Sequence, residues 1–270
     1  MPNPVLTKFD GATGAAGANR PATQLPPAPS NDLNALFGRG GTRGPDTRPA
    51  TRYMTLDDVV QRTGAMLLVL LAAGAISWSM VDSSSAGGLI LVGVLGGLGL
   101  GLYMAFTMKA NAVLCLLYAG FEGLALGAIS KIFNGAYSGI VVQAVTGTVM
   151  VAGGMLFVYK IGAIRVTPKF TRIVVGATIG AVGLMLVNAI AYLFHPGGLG
   201  LRNGGAIAIL FSIVCIVIAS MNLVLDFDMI ERGIRSGADE KLAWYASFGL
   251  VVTLVWLYLE ILRLLSYLRE

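Results

Sequence analysis

Seven apolar runs, at 64–81, 87–106, 112–133, 138–159, 171–194, 206–230 and 246–268, are separated by short polar loops. Each is close to the roughly 20 residues that an α-helix needs to cross a bilayer's hydrocarbon core. In lipid the backbone polar groups have no water to bond, and a helix satisfies them within one segment. The pattern therefore predicts an all-α membrane protein with seven transmembrane helices. Composition agrees: charged residues make up 12 % of the chain and hydrophobic ones 56 %, whereas a soluble domain carries roughly 25 % charged residues.

The chain divides near residue 50. Eight of its ten prolines precede that point, with Gly, Asn and Arg filling much of the rest. Such a segment buries too little apolar surface to offset its ordering entropy, so 1–50 reads as a disordered tail and 51–270 as the transmembrane domain. "NDLNALF" (31–37) is a short apolar cluster within it, and no secretory signal pattern is present. Thr55 and Asp58 have capping-box spacing, so the first helix is expected to begin before the membrane does, with Arg62 near the headgroups. Fifteen of the 19 Lys and Arg residues fall on the side of the N-terminus and four on the other. With the tail and first-helix approach set aside, the loops still give eight against four. The positive-inside rule then predicts a cytoplasmic N-terminus and an external C-terminus in a cell membrane. The net charge of +5 reads as topology, not as nucleic-acid binding.

Small residues mark close helix contacts. Gly93, Gly97 and Gly101 lie four apart in the second run, Gly123 and Gly127 in the third, and Gly176 and Gly180 in the fifth. All three sets read as packing seams. The two cysteines, Cys115 and Cys215, sit inside apolar runs and read as small core residues rather than a disulfide. His195 is the only histidine, which speaks against a histidine-based zinc site. No Ser–His or metal-ligand arrangement suggests a hydrolase, and 246–268 lacks the lysine that a retinal Schiff base needs. No enzymatic activity and no resident cofactor are expected.

The informative residues are acids in apolar surroundings, which are functional candidates by default. Glu260 interrupts "LVWLYLEILRLLSYL" (254–268), with Arg263 one turn on; the two can pair along their helix. Glu122 has Tyr118 one turn before it and can clamp helices. Asn222 and Asp226 share one helix face, while Asp228, about 200° further round, points elsewhere. Asp226 and Glu260 lie on neighbouring antiparallel segments. If the last helix entered the membrane near Ala243, Glu260 would lie about 25 Å deeper and the acids would miss. If 239–248 is interfacial instead, they can meet.

Three stretches, "YAGFEGLALGAIS" (118–130), "MNLVLDFDMI" (221–230) and "LYLEILRLLSYL" (257–268), resemble the Bax inhibitor-1 family, closest to its bacterial YccA-like branch. The likeness covers roughly 55–270. It implies a seven-helix fold with the last helix central, ringed by the other six. It also implies a pH-dependent Ca²⁺ leak controlled by two carboxylates, one on each of the last two helices. The matching positions are Asp226 and Glu260, with Glu replacing the usual Asp and Phe227 departing from a polar pattern. Asn222, Asp228, Glu122 and Arg263 are secondary candidates. On this reading the partners are the lipid bilayer, protons and Ca²⁺, the latter as permeant ion and as a metal that Asp226 and Glu260 would bind together. The alternative is a non-conducting membrane regulator that binds a membrane protease or another protein complex. The membrane in question would be a bacterial inner membrane.

Overall fold

A computed structural model describes residues 52–81, 86–195 and 197–269. The tail over 1–50 and its apolar cluster at 31–37 lie outside the described residues. Seven helices follow: α1 (Leu56–Met80), α2 (Ala86–Thr107), α3 (Ala112–Ala136), α4 (Ile140–Lys160), α5 (Pro168–Phe194), α6 (Gly205–Arg235) and α7 (Leu242–Tyr267). All seven are long and apolar enough to span a membrane.

Their starts follow local chemistry. Thr55 caps α1 in a full capping box: its side chain accepts from the Asp58 backbone N–H, and Asp58 reaches back to the Thr55 backbone. The Asn111 side chain accepts from Leu114 N–H at α3. Thr167 does the same for Phe170, with Pro168 in the first helical turn of α5, where its missing N–H costs nothing. α6 runs to Arg235, past the end of its apolar run, and α7 already begins at Leu242 within the expected interfacial stretch.

Two large apolar clusters build most of the core, beside a small one at Val81, Ala86 and Ala128. One joins Ile140 and Ala144 of α4 to Leu223 and Ile230 of α6 and Leu257 and Leu262 of α7. The other joins Met66 of α1, Met104 of α2 and Tyr118 of α3 to Phe248 and Val251 of α7. α7 belongs to both, so it is the central helix, packed on α1, α3, α4 and α6. The surrounding ring is uneven. α2 lies mainly against α3, and α5 against α6.

Two of the three glycine sets form seams. A Cβ at Gly93 would stand 2.7 Å from Phe121 O, one at Gly123 would stand 2.3 Å from Leu70 O, and one at Gly127 2.2 Å from Gly74 O. Gly97 lies against the Glu122 carboxyl and Gly101 against the Tyr118 ring. The third set corrects the expectation: Gly176 and Gly180 meet nothing within 4 Å. α5 instead turns Val174, Thr178 and Ala181 inward, a face partly round the helix from those glycines, and both glycines are exposed.

At the end where α1 and α7 begin, here the near end, the segment before α1 is stitched to the α6–α7 turn. Met54 N–H donates to Ala238 O (2.8 Å), Glu240 N–H donates to Arg52 O (2.9 Å), and Tyr53 forms an antiparallel bridge with Asp239. Arg62 pairs with Glu240 and lies 5.2 Å over the Trp244 ring.

Candidate functional site

The acids fall into separate sites along α6 and α7. Asp226 lies on the face of α6 that meets α7. The Thr253 hydroxyl stands 2.7 Å from Asp226 Oδ2 and 3.1 Å from Gly249 O. Gly249 lies beside the carboxylate, and a Cβ there would meet Asp226 Oδ1 in ordinary van der Waals contact at 3.4 Å. A hydroxyl has one proton and two lone pairs. With Asp226 ionised, Thr253 donates to it. With Asp226 protonated, the carboxyl can donate to Thr253 Oγ1 while the Thr253 proton turns to Gly249 O. The same three groups therefore satisfy both protonation states without moving.

Glu260 sits one and a half to two turns beyond Thr253 on α7, about 10 Å at 1.5 Å per residue. It is 1 % exposed. Its Oε1 accepts from Arg263 Nη1 (3.0 Å) and Arg202 Nη2 (3.4 Å), while the buried Oε2 has no partner among the described residues. Arg202 comes from the turn between α5 and α6, and Tyr267 donates to its backbone carbonyl. Burial first, then the neighbouring Arg263, lowers the Arg202 pKa from its ordinary value, but a guanidinium stays charged. Two guanidiniums on one carboxylate make this cluster net positive. A cavity of about 550 Å³, lined by Asn188, Tyr192, Arg202 and Asn203, lies on the α5 side of Arg202.

Asp226 and Glu260 are thus not partners. No hydrogen bond or ion pair joins them among the described residues. The cause is register. α7 is helical from Leu242, and antiparallel packing sets Asp226 of α6 opposite Gly249 and Thr253, well short of Glu260. At that separation the two carboxylates do not converge on one point, whereas Ca²⁺ takes its oxygens at 2.3–2.6 Å. Among the described residues no three His, Cys, Asp or Glu side chains converge.

The secondary candidates have other occupations. Asn222 donates to Thr178 Oγ1 of α5 (2.7 Å) and so ties α6 to α5, not to α7. Asp228 pairs with Arg232 at 2.6 Å and is half-buried. Beside it, the Tyr159 hydroxyl of α4 donates to Glu231. The Tyr118 hydroxyl faces Glu122, whose carboxyl also abuts Gly97, so this acid sits in the α2–α3 seam. Arg263 does pair with Glu260. Sequence reasoning missed Thr253 and Arg202. Thr253 stands four residues after Gly249 in an otherwise aliphatic stretch, which was a usable signal. Arg202 offered only its charge in a glycine-rich turn.

Compared with known families, the chain matches a family model described as Bax inhibitor 1 like over residues 3–270. The match takes in the tail, which the three motifs left aside. No curated protein matches the chain.

Proposed function

We propose a function on one premise: the chain belongs to the Bax inhibitor 1 like family. The proposed function is a pH-sensitive cation leak, with Ca²⁺ as permeant ion, along the α6–α7 interface. The protein acts without enzymatic chemistry, in a cell membrane, with its N-terminus in the cytoplasm. The observation that carries this reading is a line of ionisable groups inside the bundle, with Asp226 on Thr253 towards the near end and Glu260 beneath Arg202 and Arg263 beyond it.

Each station has a distinct part. Ionised Asp226 is a negative charge that a passing cation can exploit. Protonation removes that charge, and Thr253 keeps the neutral carboxyl hydrogen-bonded. Negative charge is present above the titration of Asp226 and lost below it, so the leak falls on acidification. The arginine-covered Glu260 is the opposing barrier. Its net positive charge repels cations until Arg202 withdraws towards the cavity beside it.

The test is Ca²⁺ flux from purified full-length protein in liposomes, followed across pH. Asp226→Asn is expected to lower the flux about tenfold at high pH and to flatten its pH profile. That figure is a floor: unit charges ~10 Å apart attract by roughly 1.7 kcal/mol at an effective dielectric constant of ~20, and Ca²⁺ carries twice the charge. Arg202→Gln is expected to raise the flux. An Asp226→Asn protein with the wild-type profile would refute the role of Asp226. Absence of flux at every pH would favour the non-conducting regulator and its membrane-protease or other protein partner.

Orientation has its own test. Ser236 at the near end and Ser138 at the opposite end are both exposed. A membrane-impermeant thiol reagent added outside intact cells is expected to label Ser138→Cys and spare Ser236→Cys. The reverse pattern would invert the topology.

A further inference from the structure

A groove of about 810 Å³ separates α1 from α4. Leu67 and Leu71 form one wall, Val145 and Val149 the other, and Leu254 and Tyr258 of α7 the floor. Leu71, Val145 and Val149 are exposed along its lip, so it opens sideways into the bilayer. It follows α1 from Leu67 to Trp78 for about 16 Å and α4 from Val141 to Leu156 for about 22 Å, at 1.5 Å per residue. It is therefore at least one leaflet deep, a leaflet being half of a hydrocarbon core about 30 Å thick.

Its hydroxyl groups are already satisfied. Ser130 and Tyr258 share a hydrogen bond (2.6 Å), and the Thr148 hydroxyl donates to Ala144 O (2.7 Å). The channel therefore presents apolar surface to its occupant and asks for no hydrogen bonds. The rim differs. Lys131, near the end of α3, holds its amine 5.5 Å from the Trp78 ring centroid. It has no carboxylate partner among the described residues. Trp and Lys are the residues that membrane proteins place at headgroup depth. A lysine ammonium with no carboxylate beside it among the described residues, at the mouth of a leaflet-deep apolar channel, is complementary to a phosphate tethered to an acyl chain.

We propose that the α1–α4 groove is a binding site for one bilayer phospholipid, an acyl chain lying between Leu71 and Val149 and the phosphate on Lys131. The site is independent of Asp226 and Glu260, and it stands whether or not the protein conducts ions.

Native mass spectrometry of the full chain, purified in mild detergent with added phosphatidylglycerol, tests it. Wild-type protein is expected to hold one phospholipid that survives detergent washing. Lys131→Gln is expected to weaken binding about fivefold, the worth of one basic residue at a lipid surface. Val149→Trp, which fills the groove from a lipid-facing position, is expected to abolish the bound species with the fold intact by circular dichroism. Lys160→Gln, at the other end of the bundle, is expected to change nothing. Equal retention by wild type, Lys131→Gln and Val149→Trp would overturn the proposal, as would a second protein chain in place of lipid.

Discussion

Combining Arg202→Ala with Arg263→Ala is expected to destabilise the bundle by about 3–5 kcal/mol, the usual cost of stripping the partners from a buried charge. Glu260 is 1 % exposed and one of its oxygens already lacks a partner among the described residues. Either arginine alone still leaves one cation on Oε1, so each single change should cost much less than the pair. The losses are therefore expected to be non-additive, as they are for groups sharing one partner. The asymmetry is informative. Glu260→Leu removes the acid and leaves two arginines that are 21 % and 30 % exposed. Their long stems can carry the charges outward to water, so its cost should be smaller. Adding Glu260→Leu to the double arginine variant should recover most of the stability, since apolar groups often replace a buried ion cluster without loss. Thermal unfolding of the purified variants in detergent measures all of these. Additive arginine losses, or no rescue by leucine, would mean that the cluster does not hold α7 in place.

Gly127→Ala and Gly176→Ala should act in opposite directions. The methyl at 127 would stand 2.2 Å from Gly74 O, and backbone on both sides leaves nothing to rotate away. α1 and α3 must separate, at a cost of about 1–3 kcal/mol or more for overpacking. At 176 the methyl meets open space, and replacing a mid-helix glycine by alanine is worth up to about 1 kcal/mol. The same thermal measurement decides. A neutral Gly127→Ala would show that the α1–α3 seam is looser than its backbone distances.

These two glycines also show how far sequence carries. Spacing identified both as members of small-residue pairs, but it could not tell a face turned to protein from a face turned to lipid. The seven spans, the capping box at Thr55 and the α2–α3 seam were legible because each is written within one segment. The Glu260–Arg263 pair was legible for the same reason. The partner of Asp226 was not. It depends on the register between two antiparallel helices, fixed by how far α6 continues past its apolar run and by where α7 starts. Arg202 reaches Glu260 across 58 residues, from a turn whose sequence has no periodicity to read.

The stitching of residues 52–54 to the α6–α7 turn has a consequence in time. Synthesis delivers the chain from its N-terminus, and Arg62 must wait 178 residues for Glu240. A nascent chain halted after α6 has inserted six spans, yet both large apolar clusters lack their shared member. Asp226 then has no Thr253, and Arg202 has no Glu260. Completion comes as a single late event, when the last helix threads between segments made long before it and the first residues of the domain are fastened over its entrance.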